Sequence, residues 1–147
     1  MRIKKKISEK EVLQTAKWFD FMETPLCIMF YNLCNGVNIE STTMSNFIDW
    51  MNLKNPNPPI SVLPGEKTRC CYFIKQASEH LINKQFKDTW ISMVLKKAGI
   101  SESHYKSHNY EVGIDKSNEK DMMLIEGIPE AVKKADCFKS QLLSMEI

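Results

Sequence analysis

The chain has 147 residues, of which 43% are hydrophobic and 26% charged, with five glycines, six prolines and a formal net charge of +2. This length fits one ordinary domain, and the composition excludes disordered and collagen-like chains. The longest apolar run, residues 26–31, is far below the ~18 residues of a membrane-spanning helix. We therefore expect a single domain, residues 1–147, with no membrane partner.

The N-terminus and the cysteines indicate the cellular compartment. Residues 1–6 are basic, but the apolar core of a secretion signal does not follow them. The five cysteines are an odd number, and the sequence contains no Asn-x-Ser/Thr acceptor. We therefore expect a cytoplasmic protein with free, mostly buried thiols.

Charge is segregated along the chain. Residues 1–10 and 67–110 carry net charges of +4 and +5, whereas residues 11–66 and 111–147 carry −4 and −3. Only Arg2 and Arg69 of the twenty basic residues are arginine, and lysine lacks the planar fork that reads guanine and phosphate. The pattern therefore disfavours sequence-specific reading of DNA.

The first helix signal is a capping box formed by Ser8 and Glu11. It predicts a helix from there to about Glu23. The apolar residues on its two sides are Val12, Ala16 and Phe19 inward, and Trp18 and Phe21 on the other side. The helix is therefore either buried on two sides or presents an aromatic patch.

Two further helices are predicted before the middle of the chain. Thr24-Pro25 starts, and Gly36 ends, a short apolar helix that we expect at the buried centre of the fold. A third helix runs from residue 42 or 43 to Leu53. Its inward residues are predicted to be Met44, Phe47, Ile48, Trp50 and Met51, and its outward residues Ser45, Asn46, Asp49 and Asn52. A proline-rich connecting loop, residues 54–65, follows.

The second half of the chain opens with a helix predicted from Glu66 to Ile82. Its apolar stripe is Cys70, Phe73, Ile74, Ala77 and Leu81, and its polar face includes Arg69, Tyr72 and Lys75. Another helix runs from residue 83 or 84 to Ala98. Residues 101–127 show little periodicity beyond one short extended segment near 110–114 and a helix through 121–125.

Pro129 is predicted to open the final helix. Its inner face carries Ala131, Ala135, Phe138, Leu142 and Met145. Together these elements predict an all-α fold, a compact bundle of six or seven helices whose halves, 8–53 and 66–147, are joined by the proline-rich loop.

Enzyme and metal motifs are mostly missing. Residues 65–68, Gly-Glu-Lys-Thr, lack the upstream glycine and the Gly-Lys order of a phosphate loop. His104 and His108 supply at most half of a zinc site, and the adjacent Cys70 and Cys71 are poorly spaced for the other half. We therefore predict no catalytic residue, cofactor or metal. An enzyme that pairs a cysteine with a histidine stays open as one alternative.

A helix-turn-helix DNA-binding regulator is the other alternative. A buried helix, Gly36 and a second amphipathic helix within residues 25–53 resemble that arrangement. The turn is longer than usual, and the outer face of the second helix carries Asp49 but no cation before Lys54. This charge opposes binding to phosphates.

The basic segment 67–110 supplies the candidate binding site. It interleaves cations with aromatic residues, a combination that suits an acidic protein surface or an RNA or ribonucleoprotein. The predicted binding residues are Arg69, Tyr72, Lys75, Lys84, Lys87, Lys96, Tyr105 and Lys106.

Nine methionines and fourteen aromatic residues favour a protein partner, because flexible methionine side chains suit adaptable contact surfaces. The residues expected to be exposed, in a contact surface or a homodimer seam, are Trp18, Phe21, Met122 and Met123. The leading hypothesis is a small non-enzymatic regulator or inhibitor that docks on another macromolecule, such as a nucleic-acid-handling protein or its RNA.

Overall fold

The computed structural model describes residues 6–54, 59–109, 112–113 and 117–145. Across these residues the protein is an all-α bundle, as predicted, with seven α-helices, one 3-10 turn and no strand. The helices are α1 (Glu9–Ala16), α2 (Thr24–Cys34), α3 (Met44–Met51), α4 (Lys67–Ser78), α5 (Lys87–Lys97), α6 (Glu102–His108) and α7 (Glu119–Met145), and the 3-10 turn (Lys84–Phe86) precedes α5.

The apolar helix α2 lies at the centre, as its sequence predicted. It packs along α7 on one side and against α3 on another. Its ring at Phe30 meets Phe73 of α4 edge to face, with centroids 5.1 Å apart. Gly36 follows α2 with φ +75°, the left-handed conformation that favours glycine at a helix end. The buried side chains of both halves of the chain form one hydrophobic cluster.

Two buried indoles join α3 to α5. Trp50 Nε1 donates to the carbonyl oxygen of Val94 at 3.1 Å. In return, Trp90 Nε1 donates to the carbonyl oxygen of Met51 at 2.7 Å. Each indole thus buries a large apolar ring while its one polar atom is satisfied.

The first helix is shorter than predicted. It ends at Ala16 rather than near Glu23, because the ammonium of Lys54 donates to the Ala16 carbonyl and the chain then turns inward. Phe19 was predicted to face inward and Phe21 to be exposed, and both predictions were wrong: Phe21 is buried, whereas Phe19 is exposed. Trp18 is exposed, as predicted.

The turn after α1 is held by Asn52, which was wrongly predicted to face outward. Its buried Oδ1 accepts the backbone N–H groups of Phe21 and Met22 at 2.8 and 2.9 Å. On the same helix Asn46 is also buried and Met44 is exposed, opposite to the prediction. The amide of Asn46 is satisfied by donating to Thr42 Oγ1 at 2.9 Å. Hydrogen bonds therefore decide the two asparagine positions against hydrophobic periodicity: Asn52 bonds to a turn about 30 residues away, and Asn46 to Thr42 one turn back.

The last helix was predicted to begin at Pro129, but it starts ten residues earlier, at Glu119. Leu124 and Ile128 share a face with Ala131 and Ala135, and all four are buried. Burial of this continuous face offsets the hydrogen bond that proline removes inside a helix. The stripe was predicted to be inward over its whole length, but its last members are exposed: Phe138, Leu142 and Met145.

The remaining boundaries differ less from the predictions. The α4 helix ends at Ser78 rather than Ile82, and a 3-10 turn stands where the first turn of α5 was predicted. The segment predicted to lack periodicity contains α6. Residues 55–58 of the proline-rich loop, and 110, 111 and 114 of the predicted extended segment, lie outside the described residues, while Val112 and Gly113 form a turn.

Candidate functional site

Three helices of the second half, α4, α5 and α6, enclose a surface groove with a volume of about 410 Å³. Four of the eight predicted binding residues line this groove: Lys75, Lys87, Tyr105 and Lys106. Lys75 comes from α4 and Lys87 from the start of α5, whereas the other two lie on α6. Residues that are distant in the sequence therefore meet at one surface, which we call the basic groove.

A fifth groove residue, Lys6, was not among the predicted binding residues. Thr89 Oγ1 donates to the carbonyl of Ile7, which holds this N-terminal segment against α5. Lys6 therefore reaches the groove, although it precedes the other residues of the wall by 69 to 100 positions in the sequence. The strongly basic N-terminus was a signal that could have suggested it, but nothing in the sequence joins residue 6 to α5.

The basic groove also holds three carboxylates, so its charge is mixed. Glu79 forms an ion pair with Lys87, and that contact lowers the pKa of the Glu79 carboxyl. Glu102 accepts a hydrogen bond from Ser92 Oγ, which lowers its pKa as well. Both groups are therefore ionised at neutral pH, and with Asp88 they nearly balance the four lysines.

The cations available to a ligand are those that form no ion pair with an acidic side chain of the protein itself. Lys75 and Lys106 form no ion pair with any residue that the structure describes. Tyr105 lies on α6, half-buried against the core, and burial raises the pKa of its phenol. The hydroxyl therefore stays protonated and can donate a hydrogen bond beside the two ammonium groups.

Arg69, predicted to face outward in the binding site, is instead a link between helices. Its guanidinium donates to Glu66 Oε2 at 2.6 Å, to Asp121 Oδ1 at 2.7 Å and to Asn118 Oδ1 at 3.1 Å. Glu66 is almost fully buried, and its other oxygen accepts from Asn38 Nδ2 at 2.8 Å. This network ties α4 to the start of α7 and engages all three guanidinium nitrogens of Arg69 within the protein.

Three other predicted residues also lie outside the basic groove. Tyr72 packs against the core, and burial raises the pKa of its phenol. Lys84 is exposed in an adjoining depression that shares Lys6 and Lys87 with the groove. Lys96 is exposed on α5 away from it.

The cysteines are arranged unfavourably for nucleophilic catalysis. Cys27, Cys34, Cys70 and Cys71 are buried, and only Cys137 is exposed. Burial raises the pKa of Cys27 and Cys70 to about 12 and that of Cys71 to about 11. These thiols are therefore protonated at neutral pH, whereas the thiolate is the reactive form.

The two histidines of α6 are close to each other. The rings of His104 and His108 lie with centroids 4.4 Å apart. In the part of the chain that the structure describes, no three His, Cys, Asp or Glu side chains gather in a way that could hold a metal ion. The pair therefore offers two nitrogen ligands without the further ligands of a closed site.

The helix pair α2–α3 lacks the chemistry of a DNA reader. The α3 sequence, Met44–Met51, contains no lysine or arginine. Asn46 within the helix and Asn52 directly after it are buried and hydrogen-bonded within the protein. The helix thus presents few groups that could contact phosphates or base edges.

Comparison of the chain with models of protein families, with curated proteins and with solved structures finds no match in any of the three. Among the residues described, no helix combines the length and apolar character that crossing a bilayer requires. Function must therefore be inferred from the surface of the molecule itself.

Proposed function

We propose that the protein is a non-enzymatic regulator or inhibitor that docks on another protein by holding an acidic segment of it in the basic groove. The observation that carries this proposal is that residues distant in the sequence converge on one surface. Lys6, Lys75 and the α6 pair Tyr105 and Lys106 come from three separate parts of the chain and meet at one concave surface. Its volume lies within the range of ligand pockets, about 300–1,000 Å³.

The mixed charge of the groove favours a protein segment over RNA. A phosphate backbone carries a negative charge at every nucleotide, so it would meet Glu79, Asp88 and Glu102 as well as the lysines. The groove offers one tyrosine rather than the series of aromatic platforms on which bases stack. An acidic peptide can instead place its carboxylates beside Lys75 and Lys106 and its uncharged groups beside the carboxylates.

The free thiols also support a cytoplasmic setting. None of the five cysteines is paired, and unpaired thiols persist in reducing compartments.

The test compares two matched charge reversals. The first variant is Lys75→Glu with Lys106→Glu, both in the groove. The control is Lys96→Glu with Lys133→Glu, two exposed lysines elsewhere that change the net charge equally. The probe is a fluorescein-labelled acidic decapeptide, read by fluorescence anisotropy, with single-stranded RNA of the same length as the competitor.

We expect the groove variant to weaken peptide binding about tenfold or more and the control to leave it within about twofold. Circular dichroism should show the same helix content in both variants, because all four lysines lie at the surface. Equal weakening by both variants would show that the lysines merely attract any anion. RNA bound more tightly than peptide, with a steep salt dependence, would replace the protein partner by a nucleic acid.

A further inference from the structure

The basic groove continues past the start of α5 into the adjoining depression, which has a volume of about 630 Å³. Three residues line both spaces, so the two are contiguous: Lys6, Lys87 and Asp88. The adjoining depression adds Lys84 and Gln85 of the 3-10 turn. A ligand in the basic groove therefore has a concave surface on which to extend beyond Lys87.

Both spaces lie along one face of α5. Lys87, Ile91 and Leu95 recur at every fourth position of this helix and line the basic groove. This face is about 12 Å long at about 1.5 Å per residue, and the 3-10 turn back to Lys84 adds about 6 Å at about 2.0 Å per residue. An extended chain covers about 3.3 Å per residue, so about five to six residues of a partner fit along both spaces.

The charge of the adjoining depression indicates the chemistry of that segment. The depression carries three lysines, Lys6, Lys84 and Lys87, against one acid, Asp88. Lys6 and Lys84 form no ion pair with any residue that the structure describes. A segment that occupies both spaces meets unpaired cations in each of them, so acidic side chains at several positions complement it.

The position of Lys6 depends on a buried hydroxyl of α5. Thr89 is 3% exposed, and its Oγ1 donates to the carbonyl oxygen of Ile7. Ile7 also packs against the hydrophobic core. These two contacts hold the backbone beside Lys6 over α5. A lysine whose backbone is already held loses less conformational entropy when it binds a ligand than one on a free chain end.

We propose that the basic groove and the adjoining depression form one continuous site for an extended acidic segment of the partner protein, with Thr89 as the positioning residue that holds Lys6 where the two spaces join. The inference rests on the function proposed above. It adds the length of the bound segment, about five to six residues, and a second group of contacts at Lys84.

The first experiment tests the adjoining depression with the labelled acidic decapeptide, read by fluorescence anisotropy at constant salt. Lys84→Gln removes a cation of the depression. The matched control is Lys96→Gln, which removes an exposed cation of α5 that lines neither space. We expect Lys84→Gln to raise Kd about threefold or more and Lys96→Gln to change it by less than about 1.5-fold. Both lysines are exposed, so the fold should be kept.

The second experiment tests the positioning role of Thr89. Thr89→Val keeps the shape of the side chain but removes the hydroxyl, whereas Thr89→Ser keeps the hydroxyl. We expect Lys6→Gln and Thr89→Val each to raise Kd about threefold, and Thr89→Ser to leave it within about 1.5-fold. In a protein that already carries Lys6→Gln, Thr89→Val should have no further effect, because the two residues act through one contact. A merely structural role of Thr89 would weaken binding equally in both backgrounds.

Three results would overturn the proposal. The first is an effect of Lys84→Gln no larger than that of Lys96→Gln, which would end the site at Lys87. The second is an unchanged Kd in Lys6→Gln, which is decisive even if Thr89→Val fails to fold, because Lys6 is exposed. The third is an equal cost of Thr89→Val with and without Lys6→Gln.

These results are distinguishable from failure of the proposed function. If Lys75→Glu with Lys106→Glu still weakens peptide binding, the basic groove keeps its function and only its extension is wrong. If that double variant binds the decapeptide as tightly as the unsubstituted protein does, the proposed function is wrong, and the continuous site is wrong with it.

Discussion

Arg69 connects carboxylates of α4 and the start of α7, and its removal tests whether that connection stabilises the fold. Arg69→Met keeps an unbranched apolar stem but deletes the bonds to Glu66 and Asp121. Glu66 is only 3% exposed and would keep two weaker partners, Lys120 Nζ at 3.6 Å and Asn38 Nδ2 at 2.8 Å. The substitution therefore leaves a buried carboxylate incompletely compensated.

The magnitude follows from the burial of the three groups. Removing one partner of a buried ion pair costs about 3–5 kcal/mol. Arg69 and Asp121 are 16% and 14% exposed, so water partly replaces the lost contact and the lower end applies. We expect the free energy of unfolding to fall by about 3 kcal/mol and Tm to fall by about 6–12 °C.

Urea unfolding followed by circular dichroism measures this loss. Lys96→Met is the control, since this exposed cation should change stability by less than about 0.5 kcal/mol. Adding Glu66→Gln removes the buried charge, so Arg69→Met should then cost at least about 1 kcal/mol less. The reasoning is refuted if Arg69→Met costs under about 1 kcal/mol alone, or if its cost is the same with and without Glu66→Gln.

Two further predictions concern buried polar groups. Asn52→Ala should lower the free energy of unfolding by about 2–4 kcal/mol, because it leaves two buried N–H donors without their acceptor. The control is Asn32→Ala at an exposed position on α2, which should change the free energy of unfolding by less than about 0.5 kcal/mol. Equal effects of the two substitutions in urea titrations would contradict this account. Native protein should expose one rapidly reacting thiol, Cys137, to Ellman's reagent. Burial raises the pKa of the other four thiols above the usual value near 9, so these thiols ionise at a lower pH in the unfolded chain than in the folded protein. The free energy of unfolding should therefore fall as pH rises from about 9 toward 11–12. Two or more fast thiols, or unchanged stability up to pH 10, would show that these cysteines are not buried as described.

Local signals in the sequence predicted the elements well. Ser8 caps α1 as its spacing from Glu11 indicated, accepting from the backbone N–H three residues later. Thr43, one of the two starts predicted for α3, caps that helix in the same way. The α4 stripe predicted from periodicity is buried throughout. These features depend on residues within one or two turns of each other, where chain geometry alone determines which side chains meet.

The errors occur where distant residues decide. Lys54 ends α1 from 38 positions away, and Arg69 reaches Asp121 across 52. Periodicity treats both as outward cations, because it contains no information about which polar group another helix presents. Half of the predicted binding residues nevertheless share the basic groove, since α4, α5 and α6 are consecutive and short connections keep them adjacent.

The packing of α7 along α2 has a consequence for the order of folding. About 85 residues separate the end of the central helix from the start of the helix that covers it. At a ribosomal rate of about 5–20 residues per second, the nascent chain spends roughly 4–17 s with the apolar side of α2 still waiting for α7. During that interval the centre of the future core is available to chaperones, and native closure of the bundle is a late event of synthesis.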